Sequence, residues 1–278
     1  IRGRRLSTAA WLAERLEVHS LDAVGMRLYK SHVGPANLAP PEVVLELMRG
    51  ALQQCINPKF TLSFLLSEWE QVVDAWQLDS WESYRDVVRL GRKIKLPEPQ
   101  RIALWSIFAL VQSGLAARNL ITLPALFTKL ALAIRTSRNP PFEFVVVDEA
   151  QDIAVAQLRF LAAIGAHRPD ALFFTGDLGQ RIFQQPFSWL GLGVDIRGRA
   201  KTLRVNYRTS HQIRTQADRL LSPQVSDTDG NSEDRSHTIS VFNGPAPDIR
   251  TLDSEAEECA AVATWIAEQA SKGVAAHE

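Results

Sequence analysis

Two acidic residues close an apolar run near the middle of the chain. Residues 144–152 read FVVVDEAQD, so Asp148 and Glu149 directly follow a predicted buried strand. At the carboxyl edge of a parallel sheet, Asp148 would hold Mg²⁺, directly or through water, and Glu149 would accept a proton from a water attacking a phosphate. The alternative is structural: Asp148 caps the next helix, and Glu149 is a solvated acid of its first turn.

A second apolar run is followed by a glycine, an acid and an amide. Residues 172–183 read LFFTGDLGQRIF, which places Gly176 and Asp177 at the end of another predicted strand. Gly176 would let the backbone approach a ligand closely. Gln180 can donate to a phosphate oxygen and accept from water, which suits a sensor of the terminal phosphate. Taken by itself, the pattern is explained about as well by a turn with a helix cap.

A third motif lies further along the chain, where residues 203–209 read LRVNYRT. Arg208 lies between a predicted strand and a predicted helix, so its planar guanidinium could reach a phosphate across a cleft. Tyr207 could stack on a base. In isolation, a surface arginine and a packed tyrosine explain these residues more simply.

The elements that position these motifs alternate between strands and helices after residue 139. Apolar runs predict strands at residues 144–147 and 171–175, and two further strands are predicted at 202–205 and 248–252. Spacings of three and four predict helices at residues 154–164, 209–221 and 255–270. Residues 222–247, rich in Ser, Asp, Asn, Gly and Pro, predict an exposed loop. This alternation indicates an α/β fold with a parallel sheet.

The preceding hundred residues are of a different kind. Residues 41–138 predict an almost wholly helical region, with helices at 67–77, 80–90, 97–118 and 123–135. Its tryptophans recur at helical spacing and are predicted to be core residues, namely Trp69, Trp76, Trp81 and Trp105. Upstream, the spacing predicts a helix at residues 4–16, a short strand at 16–18 and a helix through Tyr29.

The composition limits the classes of function. The chain has 278 residues with 31 basic and 31 acidic side chains, so any binding of nucleic acid must rely on local basic clusters. Cys55 and Cys259 are far apart and predict two buried, reduced thiols of a cytoplasmic protein. No apolar stretch is long enough to span a bilayer. The candidate basic clusters are Arg2, Arg4 and Arg5; Arg89, Arg92, Lys93 and Lys95; and Arg197, Arg199, Lys201 and Arg204.

In this order and spacing, the three motifs resemble those of UvrD/Rep-type superfamily 1 DNA helicases. Residues 18–21, VHSL, resemble the short DNA-contacting motif that precedes the helical insertion of that family. The resemblance covers nearly the whole chain and implies a RecA-like P-loop NTPase core, α/β with a parallel sheet, interrupted by an all-helical insertion. It implies part of a first motor domain in residues 1–35 and 139–200, the insertion in 36–138, and the start of a second motor domain in 201–278.

The resemblance also implies ATP and Mg²⁺ as cofactors. Asp148 would be the metal ligand and Glu149 the catalytic base, while Gln180 would couple the terminal phosphate to DNA. Arg208 would be an arginine finger that neutralises charge in the transition state, and Tyr207 would lie against the adenine. The remaining residues of the nucleotide site would be Gln151, Gly176 and Asp177.

Single-stranded or duplex DNA is the implied partner. His19, Ser20 and Phe183 would line the DNA channel. Gln185 stands where many members of the family have a base-stacking tryptophan, so Phe187 or Trp189 is expected to supply the stacking ring instead. The implied location is the cytoplasm of a bacterium, associated with the nucleoid, and no membrane partner is expected.

One expected element is missing from the sequence. Superfamily 1 motors grip phosphates with a GxxxxGK[ST] loop, yet none of the 15 glycines is followed by lysine. In the family this loop lies upstream of the segment that matches His19. We therefore expect the chain to be an internal piece of a longer helicase that by itself hydrolyses ATP poorly.

Two other functions remain open. A metal-dependent nuclease could use Asp148, Glu149 and Asp177, although Gln180 and Arg208 have no obvious role in such a site. A non-catalytic helicase-like module could bind DNA or protein, although the intact pair of acids argues against loss of catalysis.

Overall fold

The structure is a computed structural model that describes residues 15–55, 60–89, 96–177, 180, 186–220, 224–234 and 237–275. Within these ranges the protein is mixed α/β and about half helical, with short parallel strands in small sheets. The chain divides into two compact units. The first unit contains residues 1–201 and 225–233, and the second contains residues 202–224 and 234–278.

Helices dominate the described residues before position 140. Their apolar spacings and polar caps agree with the predicted helical region; for example, the Thr122 hydroxyl accepts from the Ala125 N–H at the start of the last helix. A π-helical turn at Trp69–Val73 interrupts the helix predicted at residues 67–77. The helices are α1 (Leu21–His32), α2 (Pro41–Gln53), α3 (Leu62–Glu68), α4 (Asp74–Trp76), α5 (Trp81–Asp86), α6 (Glu98–Ala117) and α7 (Leu123–Thr136).

Two hydrophobic clusters form the core of the first unit. One joins α2, α3, α5 and α6 and includes the fully buried Leu65, Tyr84 and Phe108. The other joins α1 and α7 to the α/β part and includes Phe127 and Phe160, whose ring centroids are 5.6 Å apart. Of the tryptophans predicted to be core residues, Trp69 is buried, whereas three are partly buried and pack against these clusters: Trp76, Trp81 and Trp105.

A βαβ unit follows the helices, as the apolar runs predict. Strand β1 (Val145–Val147) pairs in parallel with β2 (Leu172–Phe174), in the register Val145 to Leu172. The connecting helix α8 (Val155–Gly165) buries one face against α7. Because both strands run the same way, the residues after β1 and those after β2 meet at one edge of the sheet.

The second unit holds short strands and two helices. Strand β3 (Val205–Asn206) pairs in parallel with β6 (Ile239–Ser240), and α9 (His211–Asp218) and α10 (Glu255–Ser271) begin after serine caps. Strands β4 (Gln224–Ser226) and β5 (Ser232–Asp234) form a separate two-stranded sheet, and most of their residues belong to the first unit. None of the helices among the described residues has the length and apolar character needed to cross a bilayer.

Several predictions of secondary structure are wrong. Residues 16–18 and 248–252 are not strands, and β3 covers only the end of the strand predicted at 202–205. Their apolar side chains have no sheet to cover: Val18 is 85% exposed and Leu203 is 88% exposed. The loop predicted at 222–247 contains β4, β5 and β6, and Cys259 is exposed on α10 rather than buried. The helix predicted at residues 4–16 lies almost entirely outside the described residues.

A buried acid joins the helical region to the start of α7. The Asp74 carboxylate accepts hydrogen bonds from the Gln77 amide and the Thr122 hydroxyl, both at 2.5 Å from Oδ1. Part of Asp74 reaches solvent, but its carboxyl group is enclosed. Burial of the carboxyl raises its pKa to about 6, although the two hydrogen bonds act in the opposite direction. The folded protein therefore holds this proton more tightly than the unfolded chain does.

This acid predicts a definite pH dependence of stability. Because the pKa of Asp74 is higher in the folded than in the unfolded protein, its protonated carboxyl contributes to the free energy of unfolding. This contribution is fully present below about pH 4 and is lost as the pH rises through about 6. We expect Asp74→Asn to be more stable than wild type at pH 7 by at most about 3 kcal/mol, with the difference disappearing towards pH 4. Denaturant unfolding at several pH values measures it, with the exposed Asp79→Asn as control. A difference that does not change with pH would refute the expectation.

Candidate functional site

Asp148 follows β1 directly, with its carboxylate exposed. Its Oδ1 accepts from the Thr175 hydroxyl at 2.5 Å and from the Glu149 N–H at 3.0 Å. These two donors, the Thr175 hydroxyl first, hold the pKa of Asp148 below its usual range, so the side chain stays ionised. These donors do not belong to the first turn of α8, so Asp148 does not cap that helix. An exposed, ionised carboxylate is a ligand that a hard cation prefers.

Glu149 occupies an unusual backbone conformation. Its φ and ψ angles are 53° and 42°, in the left-handed region that non-glycine residues rarely adopt. Such a conformation costs on the order of 1–3 kcal/mol and is typical of functional sites held by their surroundings. The restraint here is a hydrogen bond from the Ala150 N–H to the Thr175 carbonyl at 2.8 Å, which ties the two strand ends together.

Gln151 links the two loops that leave the sheet. Its Nε2 donates to Glu149 Oε2 at 2.7 Å, and its Oε1 accepts from the Asp177 N–H at 3.1 Å. The residue is buried, with 9% of its surface exposed. Both ends of the Gln151 amide, which was predicted to contact a nucleotide, therefore have protein partners in the structure.

Asp177 and Gln180 continue the same network. Gln180 Nε2 donates to Asp177 Oδ2 at 3.1 Å, and the Gln180 N–H donates to the Asp177 carbonyl at 3.1 Å. The structure therefore brings together Asp148, Glu149, Gln151, Asp177 and Gln180. Asp148 and Glu149 are exposed, Asp177 is half-buried, and the Gln151 amide between the two loops is buried. Thr175 also belongs to this site and was missed, because an isolated threonine at a strand end carries no sequence signal.

Gly176 lies where the two loops approach most closely. A Cβ atom there would come within 2.8 Å of Gln151 Oε1 and within 3.2 Å of the backbone nitrogens of Ala150 and Gln151. This position needs glycine because of the close approach, as its neighbours on the other loop include backbone atoms that cannot rotate away.

We expect Gly176→Ala to destabilise the protein by about 1–3 kcal/mol, since the added methyl overpacks the site and displaces the Gln151 amide. Gly50→Ala is the matched control, because its Cβ would meet nothing within 4 Å and it lies in the middle of α2. The free energy of unfolding of Gly50→Ala should rise by roughly 0.5–1 kcal/mol, because alanine is favoured over glycine inside a helix. Thermal or denaturant unfolding compares the two, and equal effects of both variants would contradict the packing described for Gly176.

Tyr207 and Arg208 lie in the second unit, at the turn that follows β3. The Asn206 side chain accepts from the N–H groups of Arg208 at 2.9 Å and Thr209 at 3.0 Å, which sets the turn before α9. Both predicted residues are exposed, and Tyr207 presents 75% of its surface. Asn206 was not predicted as a site residue, although an asparagine before a turn is the signal that could have identified it.

The residues predicted to contact DNA differ in exposure. His19 is exposed, with its Nε2 3.6 Å from Glu17, and the Ser20 hydroxyl caps α1 through the Ala23 N–H. Phe187 is 2% exposed and packs edge-on against Trp76, so its ring offers no free face here. Phe183 lies outside the described residues.

Trp189, the other predicted stacking ring, is only partly buried and meets Phe174 at 4.9 Å in a T-shaped contact. Its segment is held by Asp229, whose carboxylate accepts from the Ser188 hydroxyl and from the Trp189 and Leu190 N–H groups. This anchor was not predicted, because residues 222–247 were interpreted as a mobile loop. Trp189 thus stands on a well-restrained turn.

Three arginines of the candidate basic clusters pair with acids in the described part of the chain. Arg197 pairs with Asp195, and Arg199 pairs with Asp170. Arg89 turns inward to the buried Glu68 instead of facing solvent. Lys201 and Arg204 are exposed, whereas the remaining cluster residues lie outside the described part of the chain: Arg2, Arg4, Arg5, Arg92, Lys93 and Lys95.

The chemistry of the donor set limits which metal centre could form. No three His, Cys, Asp or Glu side chains among the described residues are grouped so that they could hold an ion. The single exposed carboxylate of Asp148 fits Mg²⁺, which keeps several waters and is often held by one or two carboxylates together with phosphate oxygens. Comparison of the sequence with protein-family models and with curated proteins finds no match for this chain.

Proposed function

We propose that the chain is part of an ATP-dependent DNA helicase of the UvrD/Rep type, a motor that translocates on single-stranded DNA and separates duplexes. The observation that carries the proposal is the network in which Glu149 after β1 meets Asp177 and Gln180 after β2 through Gln151. Asp148 lies beside this network and is tied to the second loop by the Thr175 hydroxyl. Under this proposal the core is RecA-like, with motor segments at 1–35, 139–200 and 201–278 and the helical insertion at 36–138.

The proposed roles follow from the state of each group. Asp148 is ionised and exposed, so it would hold Mg²⁺ with water and phosphate oxygens. A bound Mg²⁺-ATP would supply the phosphoanhydride bond whose hydrolysis drives the motor. Glu149 is exposed and held by Gln151 on one oxygen, which leaves the other oxygen to accept a proton from water.

Gln180 in the first unit and Arg208 in the second have separate proposed roles. Gln180 uses its amide nitrogen on Asp177, and its amide oxygen remains a possible acceptor from water. The exposed Arg208 fits an arginine finger, because its backbone is fixed by Asn206 while its guanidinium is not buried. Tyr207, beside it, has enough exposed ring surface to lie against the adenine.

DNA is the proposed partner and the bacterial cytoplasm, near the nucleoid, the proposed location. Support for DNA comes from the exposed His19 and from the ring of Trp189 on its anchored turn. Among the described residues of the basic clusters, Arg197 and Arg199 pair with acids while Lys201 and Arg204 are exposed, so base stacking is proposed to contribute to the affinity beside contacts to phosphate.

A metal-dependent nuclease is the second candidate. It needs carboxylates gathered around two metal ions, and such a group is not found among the described residues. Gln180 and Arg208 would also have no role in it. The helicase assignment uses all of these side chains and is therefore preferred.

One gel assay separates the candidates. The full-length protein is incubated with a labelled, tailed DNA duplex, with and without Mg²⁺-ATP and with EDTA. A displaced strand of unchanged length that requires ATP is the expected result. A shortened strand that appears without ATP and is abolished by EDTA would identify a nuclease, and a shifted but intact duplex would identify a binding module.

A further inference from the structure

A continuous series of hydrogen bonds runs from the candidate base to the neighbouring motif. It passes from Glu149 to Gln151, from Gln151 to the Asp177 N–H, and from the Asp177 carboxylate to Gln180, with distances of 2.7, 3.1 and 3.1 Å. We infer that Gln151 is a positioning residue that couples the orientation of Glu149 to the state of Gln180, and so transmits the DNA signal to ATP hydrolysis. The inference rests on the proposed function and specifies how that site is regulated.

The chemistry of the amide suits this link. Glu149 offers only acceptor oxygens when ionised, and the Asp177 N–H offers only a donor, so the bridging group must donate at one end and accept at the other. An amide does both, whereas a carboxylate of the same shape can only accept. Gln151 is therefore chemically suited to a position between a carboxylate and a backbone N–H.

Burial makes the link stiff. With 9% of its surface exposed, Gln151 has little water available to replace a lost partner, and an unsatisfied buried polar group costs about 1–3 kcal/mol. The lack of a side chain at Gly176 lets the Gln151 oxygen approach that loop closely, since a Cβ atom there would come within 2.8 Å of it. A displacement of Asp177, such as Gln180 would cause on changing its partner, must then move Gln151 and with it Glu149.

The strained backbone of Glu149 makes the position of its carboxylate more sensitive to the loss of a hydrogen bond. A residue held at a φ of 53° relaxes when its restraints weaken, so the carboxylate position depends on the bonds that hold it. The amide of Gln151 is one of these restraints, and it acts on the side chain itself. Gln151 touches neither water nor phosphate in this role, which distinguishes it from a catalytic residue.

The test uses a substitution that breaks one end of the link. Gln151→Glu keeps an oxygen for the Asp177 N–H but replaces the donor to Glu149 with a repelling carboxylate. The matched control is Gln157→Glu, because Gln157 has the same pair of bonds elsewhere: it donates to Asp22 at 2.8 Å and accepts from the Ala154 N–H at 2.9 Å. Both variants are made in the full-length protein and assayed for ATP hydrolysis with and without single-stranded DNA.

We expect Gln151→Glu to lower DNA-stimulated kcat by about 10- to 100-fold, as the loss of an orienting partner typically does. The KM for ATP should stay unchanged, the ratio of stimulated to basal turnover should fall, and Gln157→Glu should behave as wild type. Wild-type stimulation in Gln151→Glu, or an equal loss in Gln157→Glu, would overturn the inference. Absence of any turnover in wild type would instead overturn the proposed function.

Hydrogen exchange at Asp177 checks the structural part separately. Gln151→Leu removes both ends of the bridge and should speed exchange of the Asp177 amide, while Gln151→Glu should preserve its protection. Unchanged protection in Gln151→Leu would show that the bridge does not exist in solution. Preserved protection together with lost stimulation in Gln151→Glu would assign the loss to Glu149 orientation rather than to unfolding.

Discussion

Replacing Glu149 by Gln is expected to lower the DNA-stimulated rate of ATP hydrolysis by the full-length protein by about 10²- to 10⁴-fold, the usual contribution of a general base. The amide has the shape of the carboxylate but cannot take a proton from water. Its oxygen can still accept from the Gln151 amide, so the strained turn and the packing of the site should persist. Steady-state kinetics with saturating DNA measures the effect.

Glu143→Gln is the control for this substitution. Glu143 lies just before β1, is exposed, and pairs with Arg15 and Arg168 at 3.3 Å, so the change removes the same charge a short distance away. Such exposed pairs contribute little, and turnover should remain as in wild type. If Glu149→Gln retained full activity, Glu149 would not be the base.

Loss of the Arg89 guanidinium should have the largest effect on stability. Glu68 is fully buried and accepts from the Tyr84 hydroxyl at 2.9 Å and from Arg89 Nε at 3.4 Å, and the Arg89 guanidinium lies 4.7 Å from the centre of the Tyr84 ring. Burial, and then the Glu68 charge, raises the pKa of Tyr84, so its hydroxyl remains a donor. We expect Arg89→Leu to lower the free energy of unfolding by roughly 3–5 kcal/mol, because it removes a positively charged partner of a buried carboxylate. Denaturant unfolding measures this cost.

Two further variants test whether the loss of charge causes the lower stability of Arg89→Leu. Arg85→Leu removes an arginine from α5 whose partner, Asp86, is exposed, and it should leave stability almost unchanged. Adding Glu68→Gln to Arg89→Leu should recover part of the loss, since a neutral amide needs no cation. Equal losses for Arg85→Leu and Arg89→Leu would contradict a buried ion pair.

Local pattern was sufficient to predict two of the long helices and the two strands of the βαβ unit, but not the ends of the helices predicted at residues 67–77 and 80–90. Three- and four-residue spacing located α6 and α7 to within about two residues, the usual uncertainty of helix ends. The β-branched run before Asp148 predicted β1, and the run before Gly176 predicted β2. In these segments burial and propensity favour the same conformation, so sequence and structure agree.

Contacts between residues that are far apart in the sequence could not be predicted from local pattern. The Thr175 hydroxyl meets Asp148, and Gln151 meets Asp177, only because β1 and β2 pair in a particular register. Likewise, β3 exists because β6, more than thirty residues later, pairs with it. A segment predicted as a strand that has no such partner, as at residues 248–252, forms no strand.

The burial of individual side chains was equally hard to predict. Arg89 lies in a basic stretch that suggested a DNA surface, yet its side chain is 14% exposed and contacts an acid of α3. Phe187 and Trp189 are two residues apart and similar in type, but only Trp189 remains partly open. Which residue faces the core depends on Trp76 and Phe174, contributed by other elements.

ATP hydrolysis by the full-length wild-type protein, measured with and without single-stranded DNA, tests the central claim most directly. The proposed motor couples the Asp148 and Glu149 pair to a DNA-sensing neighbour, so DNA should strongly raise turnover and Mg²⁺ should be required. Turnover that is absent in the presence of both Mg²⁺ and DNA would contradict the claim and favour a module that binds without catalysis.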